Sequence, residues 1–147
     1  MDERLKQLFT DRQALEAELA SQGPIARIVN MLALSAHKHA ATFFAIDIGR
    51  VRFWIQGEWY EELTPPPDVS EHMVRRLGVM LGALAPAQGQ SRTGSLHLAA
   101  GDKHVYMLAR IDRDEDGRLR ALVELVSESD FVTRKEPRQP SQHPYRR

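Results

Sequence analysis

The segment Arg50–Leu63, RVRFWIQGEWYEEL, constrains the fold of this chain more than any other part of the sequence. Its first half alternates strictly between two sets of side chains, and a period of two is typical of a half-buried strand. The two sets are Val51, Phe53 and Ile55, and then Arg52, Trp54 and Gln56. Gly57 follows and can supply the positive φ that a tight turn needs, after which large apolar side chains resume. The segment therefore predicts a β-hairpin.

Amphipathic helices are predicted on both sides of this hairpin. Apolar residues at helical spacing follow Pro24, and a second such stripe follows Asp68. Asp68 and Glu71 have the spacing of a capping box, which predicts the start of the second helix. Three further strands are predicted at Ser95–Ala100, Lys103–Asp112 and Arg118–Val126. The predicted fold class is α+β, an antiparallel sheet with helices packed on it, in the order α-α-βββ-α-βββ.

Length and composition limit the classes of protein that this chain can represent. It has 147 residues, enough for one domain with its own core, and no cysteine for a disulfide or a thiolate site. Twenty Lys and Arg balance twenty Asp and Glu, so the formal net charge is zero. Electrostatic binding of nucleic acid over a large area needs a basic surface instead. No apolar run has the length of a membrane span, and the charged first residues do not resemble a signal peptide. We therefore expect a cytoplasmic protein that binds no nucleic acid and does not insert into a membrane.

Residues 1–22 form a predicted N-terminal amphipathic helix, which ends at Gly23-Pro24. Its leucines stand at heptad-like positions. These leucines are Leu5, Leu8, Leu15 and Leu19. One interpretation is a helix packed on its own domain, and the other is a short coiled coil that joins two copies into a homodimer. About three heptads are marginally stable alone, so such pairing would need support from the rest of the domain.

The central α+β domain is predicted to cover residues 23–130, and residues 131–147 to form a disordered basic tail. Arg134–Arg147, RKEPRQPSQHPYRR, contains three prolines and few side chains that could be buried. Such a composition cannot offset the entropy of ordering the chain.

The order of these elements resembles the domain that precedes the motor domain in type II secretion and type IV pilus assembly ATPases. That family has an A-S-D-I-H-I-E strand, then V-R-x-R-x-D-G-x-L, a P-P turn, a helix and R-L-P-Q-D-G-R. The matching segments here are Ala41–Asp47 (ATFFAID), Val51–Trp59 (VRFWIQGEW), Pro65–Pro66, Val74–Met80 (VRRLGVM) and Ser91–Ser95 (SRTGS). The resemblance covers roughly residues 24–126 and implies a PAS-like sheet with helices.

The polar residues of that family pattern are mostly absent from this sequence. In the ATPases, arginines of this domain reach toward the nucleotide. Arg52 matches the first of them, whereas Trp54 takes the place of the second and Gln56 that of the aspartate. Phe43 and Ala45 take the places of an aspartate and a histidine. Thr93 and Ser95, which flank Gly94, take the places of an aspartate and an arginine. No G-x-x-x-x-G-K phosphate loop is present, so we expect no ATPase activity.

Other patterns that could support catalysis or metal binding are incomplete. Asp112–Gly117 begins like an EF-hand loop, but position twelve is Val123 where a bidentate Glu is needed. His37 and His39 have a spacing of two, which points their rings apart on a helix. Glu61 and Glu62 lie on opposite faces of a strand. We therefore expect no catalytic residue, no metal site and no cofactor.

The resemblance implies a non-catalytic adaptor for a secretion, pilus or motility apparatus, with a secretion or pilus ATPase or a platform component as partner. The candidate interaction surface is Arg52, Trp54 and Gln56, because an exposed Trp beside an Arg is typical of an interface anchor. A covered Trp54, packed under the N-terminal helix or the region of Phe131, is the other interpretation. The alternative function is a PAS-like small-molecule sensor with a ligand between sheet and helices.

Overall fold

A computed structural model describes residues 23–82 and 85–145 of the chain. In chain order the elements are α1 (Pro24–Lys38), β1 (Phe43–Asp47), β2 (Arg50–Ile55), β3 (Glu58–Leu63), α2 (Pro67–Met80), β4 (Arg92–Ala100), β5 (Lys103–Arg113), β6 (Leu119–Val126) and α3 (Glu128–Thr133). The α+β class with an antiparallel sheet is confirmed. The predicted N-terminal helix, with Leu5, Leu8, Leu15 and Leu19, lies outside the described residues.

The six strands form a single antiparallel sheet in the order β3-β2-β1-β6-β5-β4. The first and last strands of the chain therefore meet in its middle, where Phe44 pairs with Val123. The predicted hairpin joins β2 to β3 and brings Trp54 opposite Trp59. Its turn has positive φ at both Gln56 (51°) and Gly57 (83°), which matches the right-handed twist of the strands.

Helices α1 and α2 cover one face of the sheet, and the main core lies between them. Strand alternation sends Phe44, Phe53 and Val123 into this core, all fully buried. The opposite face, here called the outer face, carries a smaller apolar cluster made by Phe43, Ala45, Trp54 and Leu122. The predicted division of β2 into two faces is confirmed, since Val51 and Phe53 belong to the first core and Trp54 to the second.

Proline and glycine determine where the two long helices begin. Gly23 is the N-cap of α1 and Pro24 occupies its first turn, where a missing N–H costs nothing. The capping-box prediction for α2 is wrong. Its N-cap is Pro66, which has no side-chain acceptor, and Glu71 forms an ion pair of 3.4 Å with Arg75 instead.

Candidate functional site

The three residues of the predicted interaction surface have different exposures on the outer face. Gln56 is exposed in the hairpin turn and Arg52 is half-buried, but Trp54 is only 7% exposed. Trp54 packs edge-on against Trp59, with 5.1 Å between the ring centroids. The prediction of Trp54 as an exposed interface anchor is therefore wrong in this structure, and its alternative of a covered Trp54 applies.

The C-terminal segment, residues 134–145, covers this surface. Its last described residue, Tyr145, packs against the outer-face cluster that contains Trp54 and Leu122. The prediction of a disordered tail from residue 131 is consequently wrong for the described part, which begins in α3 and continues across the sheet. The contact comes from Tyr145 and not from the region of Phe131, and the predicted N-terminal helix lies outside the described residues.

Main-chain carbonyl groups of the C-terminal segment accept hydrogen bonds from side chains of β2 and β3. Arg50 donates to the carbonyl of Tyr145 over 2.5 Å, and Arg52 donates to that of Pro144. The indole Nε1 of Trp59 donates to the carbonyl of Gln142 over 3.2 Å. Carbonyl groups are common to every peptide, so these donors can bind a main chain with little dependence on its sequence.

The guanidinium of Arg50 is held in place by Asp47, a residue outside the C-terminal segment. Its Nε donates to Asp47 Oδ1 over 2.9 Å, and both side chains are almost fully buried. The two residues flank the tight turn between β1 and β2. A charged donor fixed in this way loses little rotamer freedom when it binds a carbonyl.

Glu124 anchors the start of the segment. Its side chain is 3% exposed and accepts from Arg134 Nη2 over 2.6 Å and from the main-chain N–H of Arg138 over 2.9 Å. The hydrogen bond to Glu124 raises the pKa of the Arg134 guanidinium. A buried carboxylate is tolerated only with such partners, and here Arg134 and Arg138 of the C-terminal segment supply them.

Tyr145 anchors the end of the segment. The Arg120 guanidinium lies 4.4 Å from the centre of its ring, and Asp112 holds Arg120 through a hydrogen bond of 2.8 Å. Burial raises the pKa of the Tyr145 hydroxyl well above its ordinary value, and the charge of Asp112 adds to this effect. The neutral phenol is therefore the form that fits this site.

A second candidate surface is an apolar groove of about 460 Å³ on the helical side of the molecule. It lies between α1, α2 and the end of β3, and its walls include Ile28, Phe53 and Met73. Met31 and Leu63 stand at its rim with 67% and 46% of their surface exposed. The sequence analysis left open a ligand between sheet and helices but named none of these residues, because three separate segments form the groove.

The remaining sequence patterns have structural explanations. Asp114 Oδ1 accepts from the N–H groups of Asp116 and Arg118, so the acidic run forms a hairpin turn. His39 closes α1 by bonding to the carbonyl of Ser35. His97 and His104 are 2.8 Å apart on β4 and β5, but within the described residues no group of three His, Asp or Glu could hold a metal ion.

The positions that correspond to the polar pattern of the resembling ATPases do not form one site. Thr93 and Ser95 lie on edge strand β4, whereas Arg52 lies on β2. Four strand spacings, roughly 19 Å, separate these strands in the sheet. Phe43, Ala45 and Trp54, in contrast, lie together and form the floor under Tyr145.

No protein-family model matches this chain, and no curated protein matches it. Within residues 23–82 and 85–145, none of the helices has both the length and the apolar character to cross a membrane.

Proposed function

We propose that this chain is a non-catalytic protein-interaction module whose outer face receives a peptide segment of its partner. The observation that supports this proposal is the way in which the C-terminal segment is held. Arg50, Arg52 and Trp59 all donate to main-chain carbonyls, and a single aromatic side chain fills the apolar cluster beside them. A partner segment with an aromatic residue could use the same donors and the same cluster.

The partner that we propose is a component of a secretion, pilus or motility apparatus, either a hexameric ATPase or a platform protein. The basis is the resemblance of residues 24–126 to the domain that precedes the motor domain in secretion and pilus ATPases. In those ATPases, the part of the domain that corresponds to the surroundings of Arg52 faces the motor domain. Phe43, Ala45 and Trp54 take the places of polar or charged residues there, and such apolar side chains suit a packed peptide better than phosphate.

In the isolated chain the C-terminal segment would compete with this partner. A binding site that is open for only a fraction of the time has its apparent affinity reduced by that fraction. Weakening the attachment of the segment should therefore strengthen partner binding. Tyr145→Ala removes the side chain that fills the cluster and leaves the donors of β2 and β3 unchanged.

Affinity capture from the native cells tests the proposal, with wild type, Tyr145→Ala and Tyr60→Ala as baits. Tyr60 is the matched control, an exposed tyrosine that neighbours Trp59 and points to the opposite face. We expect Tyr145→Ala to recover several times more of a secretion or pilus component than the other two baits. Equal recovery by all three baits, or recovery of no such component, would contradict the proposal.

A small-molecule sensor is the second candidate, because the groove of about 460 Å³ has the size of many ligand sites. Native mass spectrometry of the chain purified from its own cells would then show an added small-molecule mass. Val69→Trp, which places a large ring at the groove wall, should abolish that mass. Absence of any added mass from gently purified protein would count against this second candidate.

A further inference from the structure

Helix α1 carries more apolar surface than the sheet and α2 cover. Its buried face consists of Ala26, Val29, Leu32, Ala33 and Ala36. Next to this face Ile28 remains half-buried and Met31 is 67% exposed, one and two turns into the helix. A helix that is apolar over so wide an arc is typical of one with neighbours on two sides.

The groove described above lies along this second side of α1. Phe53 and Met73 form its floor, and Leu63 stands across from Met31 at the rim. Apolar walls of this kind gain free energy when an apolar side chain covers them, at a rate proportional to the area removed from water. A segment of the chain would gain this free energy in the groove if it presented apolar side chains at a spacing that matches α1.

Residues 1–22 precede Gly23 directly and have the required spacing. Leu15 stands eight residues before Gly23 and Met31 eight residues after it. If both segments are helices, each of these side chains lies about 12 Å from the turn. Leu19 and Ile28 stand four and five residues from Gly23, about 6 and 7.5 Å by the same rise. Two antiparallel helices joined at Gly23 would thus place Leu15 beside Met31 and Leu19 beside Ile28.

We propose that residues 1–22 of the same chain occupy the groove as a helix antiparallel to α1. The turn would consist of the residues just before Pro24, a length common in helical hairpins. A second copy of the chain could also supply the segment, but the segment on the same chain acts at a much higher effective concentration. The proposal concerns the helical side of the molecule and does not depend on the function proposed for the outer face, but it is an alternative to the small-molecule candidate, which needs the same groove.

Disulfide trapping tests this arrangement cleanly, because the chain contains no cysteine of its own. Met31→Cys is combined with Leu15→Cys in one variant and with Ala17→Cys in the other. Residues 15 and 17 are almost equally far from Met31 along the chain but point to opposite sides of a helix. We expect the 15–31 pair to form an intramolecular disulfide at least tenfold faster than the 17–31 pair.

Equal rates for the two pairs would show that residues 1–22 do not dock in the proposed register, and would overturn the proposal. Disulfide-linked dimers as the main product would overturn it too, since they assign the groove to a second copy. Circular dichroism of each variant verifies that it is folded before the rates are compared.

Peroxide oxidation of Met31 provides a second measurement in which the reference is the wild-type chain. A covered thioether oxidises slowly, whereas the 67% exposed side chain of an open groove oxidises fast. We expect Met31 to oxidise at least fivefold faster in the double variant Leu15→Glu, Leu19→Glu than in wild type. Equal rates in two folded proteins would overturn the proposal.

Discussion

Glu124→Gln should detach the start of the C-terminal segment at a large cost in stability. The substitution keeps the shape of the side chain but removes the charge that Arg134 and the N–H of Arg138 bind. Breaking a buried ion pair costs 3–5 kcal/mol, and hydrogen bonds to charged groups contribute about 1.5–3 kcal/mol each. Arg134 is 22% exposed and can turn toward water, so the low end of that range applies. We expect a loss of roughly 3 kcal/mol in the free energy of unfolding.

Glu136→Gln is the matched control, because Glu136 also pairs with an arginine, Arg110, but is 61% exposed. Exposed pairs contribute about 0–1 kcal/mol, and the control should lose no more than that. Urea unfolding followed by circular dichroism measures both variants, and in a thermal scan the difference in midpoint should be about 4–12 °C. If Glu124→Gln is as stable as the control, Glu124 does not hold the segment and the reasoning is refuted.

Three further predictions concern other parts of the structure. Trp54→Ala should destabilise the fold by about 3–5 kcal/mol in urea unfolding, whereas Gln56→Ala should change it little; unchanged stability would restore Trp54 as a surface residue. Because the pKa of Tyr145 is raised, its contribution to stability should be complete below the ordinary tyrosine pKa of about 10 and be lost as the pH rises above it. Tryptophan fluorescence should record this release, and Tyr145→Phe should abolish the step. Asp114→Ala should cost roughly 1–3 kcal/mol through two lost main-chain hydrogen bonds, and millimolar calcium should not shift the wild-type unfolding midpoint.

Local sequence patterns were sufficient to predict the sheet and the two long helices. The hairpin between β2 and β3 follows from alternation and Gly57, since both features act over a few residues. Strand β4 begins at Arg92, three residues earlier than predicted, because pairing with β5 continues past the alternating stretch. The prediction that Asp68 caps the start of α2 was wrong, because the helix already begins at Pro67 with Pro66 as its N-cap.

The C-terminal segment could not be predicted from its composition. Its contacts join residues far apart in the chain, such as Trp59 with Gln142 and Arg50 with Tyr145, 83 and 95 positions apart. The accepting groups are main-chain carbonyls, which leave no trace in the sequence. A single aromatic residue, Tyr145, distinguishes this docked segment from an ordinary polar tail. The carboxylate of Glu124 on β6, with no polar partner on its own strand, was the signal that could have indicated a covering element.

The affinity of the purified partner for the full-length chain tests the proposed role of the outer face most directly. Isothermal titration would compare wild type, Tyr145→Ala and the control Tyr60→Ala against the same partner preparation. If the C-terminal segment occupies the partner's site, Tyr145→Ala should bind at least tenfold more tightly than wild type and Tyr60→Ala should bind equally well. An affinity that is unchanged or weaker in Tyr145→Ala would contradict competition between the segment and the partner for the outer face.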